Sequence, residues 1–348
     1  MQNFILKKKV LVFRFFFAAV KIGEYAGLDS NGHLGYSFLM DSRVEAGEPK
    51  ITKQMTLAEF DRLFPDETAC KEYLMDHRWP TGVKCPRCGN EKVYELKTRP
   101  FHWLCKKPCK SYRFSVISGT IFENTNYKLL IWFKVLYLML TSKKGISALQ
   151  IHRMIGSGSY STAFYMCHRL RAGMFDPDFR QLMGIVEVDE TYIGGKQANR
   201  HGNVRAKYHG GGAANTGKTT VIGAISRKGN VVCKIIENTS IDTLNSFIDE
   251  TVSNKVDLVA TDMSAGYREG MPYYIKRHEA VDHRAKEYVR GIVHTNNIEN
   301  FWSLLKRGVI GTYHNVSAKY LPLYLNEFQF RHNNRKNADI FGSAIAGC

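Results

Sequence analysis

The sequence is short of acid: 32 Asp and Glu stand against 49 Lys and Arg, a formal net charge of +17 over 348 residues. A field of that sign gathers polyanions, and nucleic acid is the commonest of these inside a cell. Apolar runs long enough to cross a membrane are also missing. Lys7, Lys8 and Lys9 followed by VLVFRFFFAAV resemble the start of a signal peptide, but Arg14 interrupts the run and no clear small-residue cleavage site comes after it. The stretch YKLLIWFKVLYLMLTS (127–142) is almost wholly apolar, yet it has only 16 residues and contains Lys128 and Lys134. It reads as a buried helix, and no membrane partner is expected. A disulfide framework is lacking as well. Of eight cysteines, four fall within 25 residues and Cys70, Cys167, Cys233 and Cys348 are scattered singly, which points to a reducing, cytoplasmic compartment and one metal site. There is no internal repeat, and with 44% hydrophobic and 23% charged residues wholesale disorder is excluded.

The residues that are present change in texture along the chain. Residues 1–54 show no sustained amphipathic pattern, whereas Met55 opens MTLAEFDRLFPDE, a capped helix start. The expectation is that translation begins at Met55 and that 1–54 is an upstream extension without assigned function. Residues 55–84 read as short helices, with Leu57, Phe60, Leu63 and Phe64 on one face, then Cys70, Tyr73 and Leu74 on the next. Turns, cysteines and short alternating strands fill 85–114, helices 115–176. After Pro177 strands and helices alternate, so an α/β domain is expected over 184–335, with a tail at 336–348.

The chemistry starts with CPRCGN. Cys85 and Cys88, then Cys105 and Cys109 after sixteen intervening residues, form two close thiolate pairs. Two knuckles facing each other supply the tetrahedral set of a structural Zn²⁺ site. A zinc ribbon by itself names no partner. Behind it, KKGISALQIHRMIG and SGSYSTAFYMCHRLRAGM read as two helices across a Gly-Ser turn, with Ser147 capping the first and Ser159 or Ser161 the second. Lys143, Lys144, His168, Arg169 and Arg171 would give a helix-turn-helix its DNA-binding surface. A helical hairpin with a solvated basic face fits the pattern equally well.

Carboxylates mark a second metal site. Asp189 in VEVDETYIGG and Asp262 in DLVATDMSAGY each end an apolar strand, a costly place for a charge without a cation. On the helix of HTNNIENFWSLLKRG, Glu299 and Lys306 are seven residues apart and share a side, the acid facing metal and the lysine a phosphate. Hard oxygen ligands suit Mg²⁺ or Mn²⁺, and two such ions serve phosphodiester chemistry. Glu187 and Glu190 leave the first position ambiguous by one or two residues. Residues Gly212 to Thr219 satisfy the phosphate-loop pattern letter for letter, but a strand-like segment stands where that motif needs a helix. The stretch 196–218 reads instead as a basic, glycine-rich loop. Its Lys196, Arg200, Arg205, Lys207 and Lys218, with Arg307 on the late helix, would contact DNA phosphates.

These motifs, together with FSVISGTIFENT, VIGTYHNVSAKYL and FRHNNR in that order, resemble the zinc-ribbon DDE transposases of bacterial insertion sequences, the ISXO-like group, from about Met55 to Arg335. The resemblance implies an RNase H-like catalytic domain behind the zinc ribbon and helical segment, with metal on Asp189 and Asp262. It implies DNA cleavage at the element's ends, attack of the freed 3′-hydroxyl on target DNA, and a dimer or larger assembly on terminal repeats and target in the nucleoid. An asparagine is sometimes the third member in this group, so Asn296 or Asn297 competes with Glu299. Two other readings stay open, a DNA-binding regulator with a dead catalytic domain and a metal-dependent nuclease that does not join.

Overall fold

A computed structural model describes residues 26–28, 34–36, 55–174, 180–195, 217–262 and 271–348. The chain divides into two compact units, Met1–Thr52 and Lys53–Cys348. In the first, β1 (Ala26–Leu28) and β2 (Leu34–Tyr36) pair antiparallel. The apolar segment 4–20 lies outside the described residues.

The second unit opens as its capping signals require. Thr56 and Glu59 form a reciprocal capping box on α1 (Leu57–Leu63), and Asp66 caps α2 (Glu67–Arg78). Phe60 and Phe64 are buried as expected, but Leu57 and Leu63 stay exposed, because a seven-residue helix offers the core only one narrow side. Next come three antiparallel ribbon strands, β3 (Tyr94–Glu95), β4 (His102–Cys105) and β5 (Tyr112–Ser115). The apolar helix α3 (Leu129–Thr141) lies at the centre of this half. Its first backbone N–H groups, from Leu129 and Leu130, donate to the Glu67 carboxylate at 3.1 Å each, so the start of α2 caps the start of α3. Helices α4 (Ala148–Ile155) and α5 (Tyr160–Gly173) come next, capped by Ser147 and Ser159 and separated by Gly156 in the left-handed conformation (φ 62°).

A five-stranded sheet forms the other half: β6 (Leu182–Ile193), β7 (Thr219–Ser226), β8 (Val231–Ile236), β9 (Val252–Asp262) and β10 (His278–Val281), in the order β10-β9-β6-β7-β8. The first three in sequence form an antiparallel meander, and β9 and β10 run parallel to β6. Strand alternation gives the sheet two apolar faces. Val186, Val188, Ile222 and Ala224 pack under α6 (Ile241–Thr251). Val221 and Ile225 pack under α7 (Asn296–Gly308) and α8 (Leu321–Asn333). Strand β7, starting at Thr219, occupies the place where a phosphate-binding loop would need a helix.

The expected tail is not a tail. Residues Ile340–Ala346 form α9, and Phe341 sits 5.4–6.1 Å from the rings of Phe60, Phe64, Tyr73 and Phe133. The end of the chain therefore completes the core built by α1–α3. A run as short as IFGSAIA carries too little periodicity to announce this.

Candidate catalytic and metal-binding sites

Strand register brings the first two acids together. Glu187 pairs with Ala260, and two residues further along the same face of each strand stand Asp189 and Asp262. Asp262 ends its strand as expected, whereas β6 continues four residues past Asp189. Carboxylate oxygens of Asp189, Glu190 and Asp262 lie within 4.8 Å of one another. Burial, then Glu190, Asp262 and Glu299, push the Asp189 carboxyl up to about 7. Like charges held this close are relieved by a proton or by a cation between them, and three carboxylates as hard oxygen donors fit a divalent metal.

Helix α7 roofs this cluster, and a buried acid sets its position. The N-cap residue, Thr295, makes no cap bond. Instead the fully buried Glu187 carboxylate accepts from the backbone N–H groups of Asn297 (2.8 Å) and Ile298 (3.2 Å), the Asn297 amide (2.7 Å) and Arg227 Nε (2.8 Å), with His294 Nδ1 at 3.2 Å. Glu187 is thus tied to the helix N-terminus, where backbone donors and the helix dipole favour an anion. One turn on, Trp302 Nε1 donates to Asp189 Oδ2 at 3.1 Å. Its ring fits only because Gly223, the cross-strand partner of Asp189, has no side chain, since a Cβ there would sit 2.6 Å from Trp302 Cη2. Gly223→Ala is therefore expected to cost about 1–3 kcal/mol by overpacking and to loosen the Trp302–Asp189 bond. Thermal unfolding and tryptophan fluorescence of the variant check this.

The α7 residues fall where their spacing suggests. Glu299, Lys306 and Arg307 line one open cleft of about 810 Å³ together with Asp189, Glu190, Trp302, His283 and Lys144. Glu299 stands outside the three-acid cluster: its carboxylate accepts from Thr295 Oγ1 at 2.9 Å and lies 3.7 Å from His283 Nε2. Asn296 is exposed at the first turn and does not line the cleft, and Asn297 is engaged by Glu187. By sequence alone Glu187 and Glu190 are indistinguishable from Asp189. Burial separates them, placing Glu187 under the helix and Glu190 in the cluster.

The thiolate set is equally compact. Cys85, Cys88, Cys105 and Cys109 place their sulfurs within 4.8 Å of one another, with Cys85–Cys109 at 3.9 Å and Cys88–Cys105 at 3.8 Å. Zinc–sulfur bonds of about 2.3 Å in a tetrahedron require edges of about 3.8 Å. The donor set fits Zn²⁺. The Asn90 amide reaches the Cys105 sulfur at 3.8 Å and the Lys107 carbonyl, tying the knuckles together. Against the burial that raises it, the N–H groups of Arg87 and Cys88 bring the Cys85 thiol down to about 7. Cys109 is pushed up to about 12, first by its bond to Cys88, then by burial and by Cys85. Such a set ionises fully only around a cation. Cys105→Ser is expected to lose one zinc per chain by elemental analysis and to melt the ribbon at lower temperature.

Two family models match this chain: a transposase zinc-ribbon domain over residues 65–111 and an ISXO2-like transposase domain over 181–333. Over those two stretches the chain is similar to the zinc-ribbon and ISXO2-like domains of transposases. It is also 28% identical over 284 residues to the "Uncharacterized protein in transposable element ISH50" of Halobacterium salinarum, covering 78% of this chain and 92% of that protein.

Between the two matched stretches, the expected DNA-binding face of α5 is not what the structure shows. His168 and Arg171 are buried, not solvated. Arg171 Nε pairs with Glu327 Oε2 of α8 at 2.8 Å, with both side chains at most 1% exposed. His168 stacks on Tyr320 with ring centroids 4.6 Å apart, and burial, then Arg171, brings its imidazole down to about 4, leaving it neutral. Arg169 is half-buried and donates to the Glu123 carbonyl at 3.1 Å. These three side chains bolt α5 to the body of the protein. On the same helix Tyr160 and Tyr165 are exposed. Lys143 and Lys144 are exposed in the turn before α4, and Lys218 is half-buried at the entry to β7. Lys196, Arg200, Arg205 and Lys207 lie outside the described residues. Among the described residues no helix is long and apolar enough to cross a membrane.

Proposed function

We propose that the chain cuts DNA at the 3′ ends of its element and joins those ends to target DNA, with Asp189, Asp262 and Glu299 as metal ligands and Lys306 on phosphate. The observation that carries this reading is the approach of the Asp189 and Asp262 carboxylates to within 4.8 Å on neighbouring parallel strands, beneath a helix that brings Glu299 and Lys306 to the cleft Asp189 lines. A meander of three antiparallel strands continued by two parallel ones, with helices on both faces, supports an RNase H-like assignment of the catalytic domain, 184–335. The ribbon (85–114) and the α4–α5 pair, read as helix-turn-helix-like, take the terminal repeats. Two ends must be handled together, so the working species is a dimer or larger.

Mg²⁺ or Mn²⁺ on these acids would activate the attacking oxygen and stabilise the leaving one. The chain's own residues set the stage. Glu187 and Trp302 hold α7 and Asp189 in register. Lys306 lines the same cleft as Asp189, Glu190 and Glu299, and would meet a phosphate oxygen there. Glu190 is the competing third acid, because it already lies within the cluster.

The test incubates the chain with Mg²⁺, labelled duplexes carrying the element's ends, and a target plasmid. Joined products support transposition. Cleaved ends without joining support the nuclease reading, and tight binding without cleavage supports the regulator. Glu299→Ala, Glu190→Ala and Asn296→Ala in the same assay assign the third ligand. Loss in Glu299→Ala with retention in the other two is the expected result.

A further inference from the structure

The catalytic cleft has a cationic wall, and one of its cations comes from outside the transposase domain. Lys306 and Arg307 reach it from α7, and Lys144 reaches it from the loop 142–145 between α3 and α4. That loop is fixed at three points. The Arg331 guanidinium of α8 donates to the Ser142 carbonyl. Gly308, the last residue of α7, packs so close to the Lys144 carbonyl that a Cβ would lie 3.0 Å from it. Gly145, at φ +82°, leaves room for the Tyr313 hydroxyl, which donates to Glu327 at 3.1 Å. Glu327 in turn holds Arg171 of α5. The Lys144 backbone is therefore immobilised against the catalytic half, while its side chain stays exposed in the cleft.

A lysine on a free loop is usually no more than solvated surface. This one is presented by an anchored loop to a cleft that Asp189 and Glu190, two acids of the cluster, also line. With the acids of the cleft, Glu299 among them, engaged by metal as proposed, the partner of matching charge for Lys144 is the phosphate backbone of the DNA strand. We infer that Lys144 binds a DNA phosphate inside the catalytic cleft, so that the strand being cut is gripped jointly by the helical segment and the transposase domain. The inference rests on the transposase reading above. It also accounts for the buried Arg171–Glu327–Tyr313 network, which holds the two halves in one fixed relation instead of serving as a DNA-facing surface.

The test uses the full chain as wild type, Lys144→Gln, Lys144→Arg and the control Lys255→Gln, an exposed site near the opposite end of β9 from Asp262. Binding of a duplex bearing the element's end is measured in Ca²⁺ against salt concentration. Duplexes with a single methylphosphonate at each phosphate around the expected cut are then compared. Lys144→Gln is expected to flatten the salt dependence by about one charge, and to lose the wild type's sensitivity to one neutralised phosphate within a few nucleotides of the end. Lys144→Arg should keep both, as should Lys255→Gln. An unchanged salt slope and an unchanged interference pattern in Lys144→Gln would overturn the inference. The readout is binding, so it decides the role of Lys144 even if the wild type neither cuts nor joins, an outcome that would sink the catalytic reading instead.

Discussion

Asp189→Asn is expected to lower cleavage and joining roughly a thousandfold or more, since it removes a charge from the proposed metal site while keeping the shape of the side chain. The amide oxygen can still accept from Trp302 Nε1, so the roof over the cluster is kept. End binding should survive, because the ribbon, the helices and the basic residues are untouched. Stability should move in the opposite direction from activity. In the metal-free chain the Asp189 carboxyl is raised to about 7, by burial first and then by Glu190 and Asp262. A raised carboxyl favours the folded state below its unfolded value near 3.9 and loses that contribution as pH climbs through 7. At pH 8 without metal, Asp189→Asn should therefore melt above the wild type, the difference in stability being on the order of a few kcal/mol. Added Mg²⁺ should raise the wild-type melting temperature and leave the variant unmoved. Matched melting and activity measurements on the two proteins check both halves.

Glu187→Ala is expected to lower stability, and to lose the chemistry through that loss. Its carboxylate is fully buried and is the anion to which Arg227, Asn297 and the N-terminus of α7 are tied. Removing it leaves a partly buried guanidinium and two backbone donors without their acceptor, a loss of about 3–5 kcal/mol. Helix α7 carries Glu299, Trp302 and Lys306, so slippage there should abolish cleavage at temperatures where the rest of the chain is still folded. Denaturant unfolding gives the stability loss, and hydrogen exchange at 296–300 should locate it. Glu187→Gln, which retains one acceptor oxygen, should fall between wild type and Glu187→Ala.

The parts of this protein that are legible in its sequence are those fixed by local spacing. Two cysteine pairs, the capped start after Met55, the cap at Ser147, and strand runs within 183–195, 219–226 and 256–262 all announce themselves within a dozen residues. The acid pair is legible for a related reason, because a carboxylate near the end of an apolar strand is expensive enough to need an explanation. Long-range pairing is the part that sequence does not supply. Arg171 reads as a basic residue of a recognition helix until Glu327, 156 positions away, appears beside it. Glu187, Asp189 and Glu190 are interchangeable as letters, and burial under α7 assigns the first to structure. The last helix escapes notice because seven small and apolar residues carry no periodicity. Its position is set by the aromatic core it covers and by contacts such as Asn337 with Ser343.

Everything proposed for the cleft depends on Asp189 and Asp262 sharing a divalent cation. Free Mn²⁺ measured by electron paramagnetic resonance, during titration of the chain bound to end DNA, tests it directly. Saturable Mn²⁺ binding by the wild type, lost in both Asp189→Asn and Asp262→Asn, is the predicted result. Equal Mn²⁺ uptake by all three proteins would contradict it.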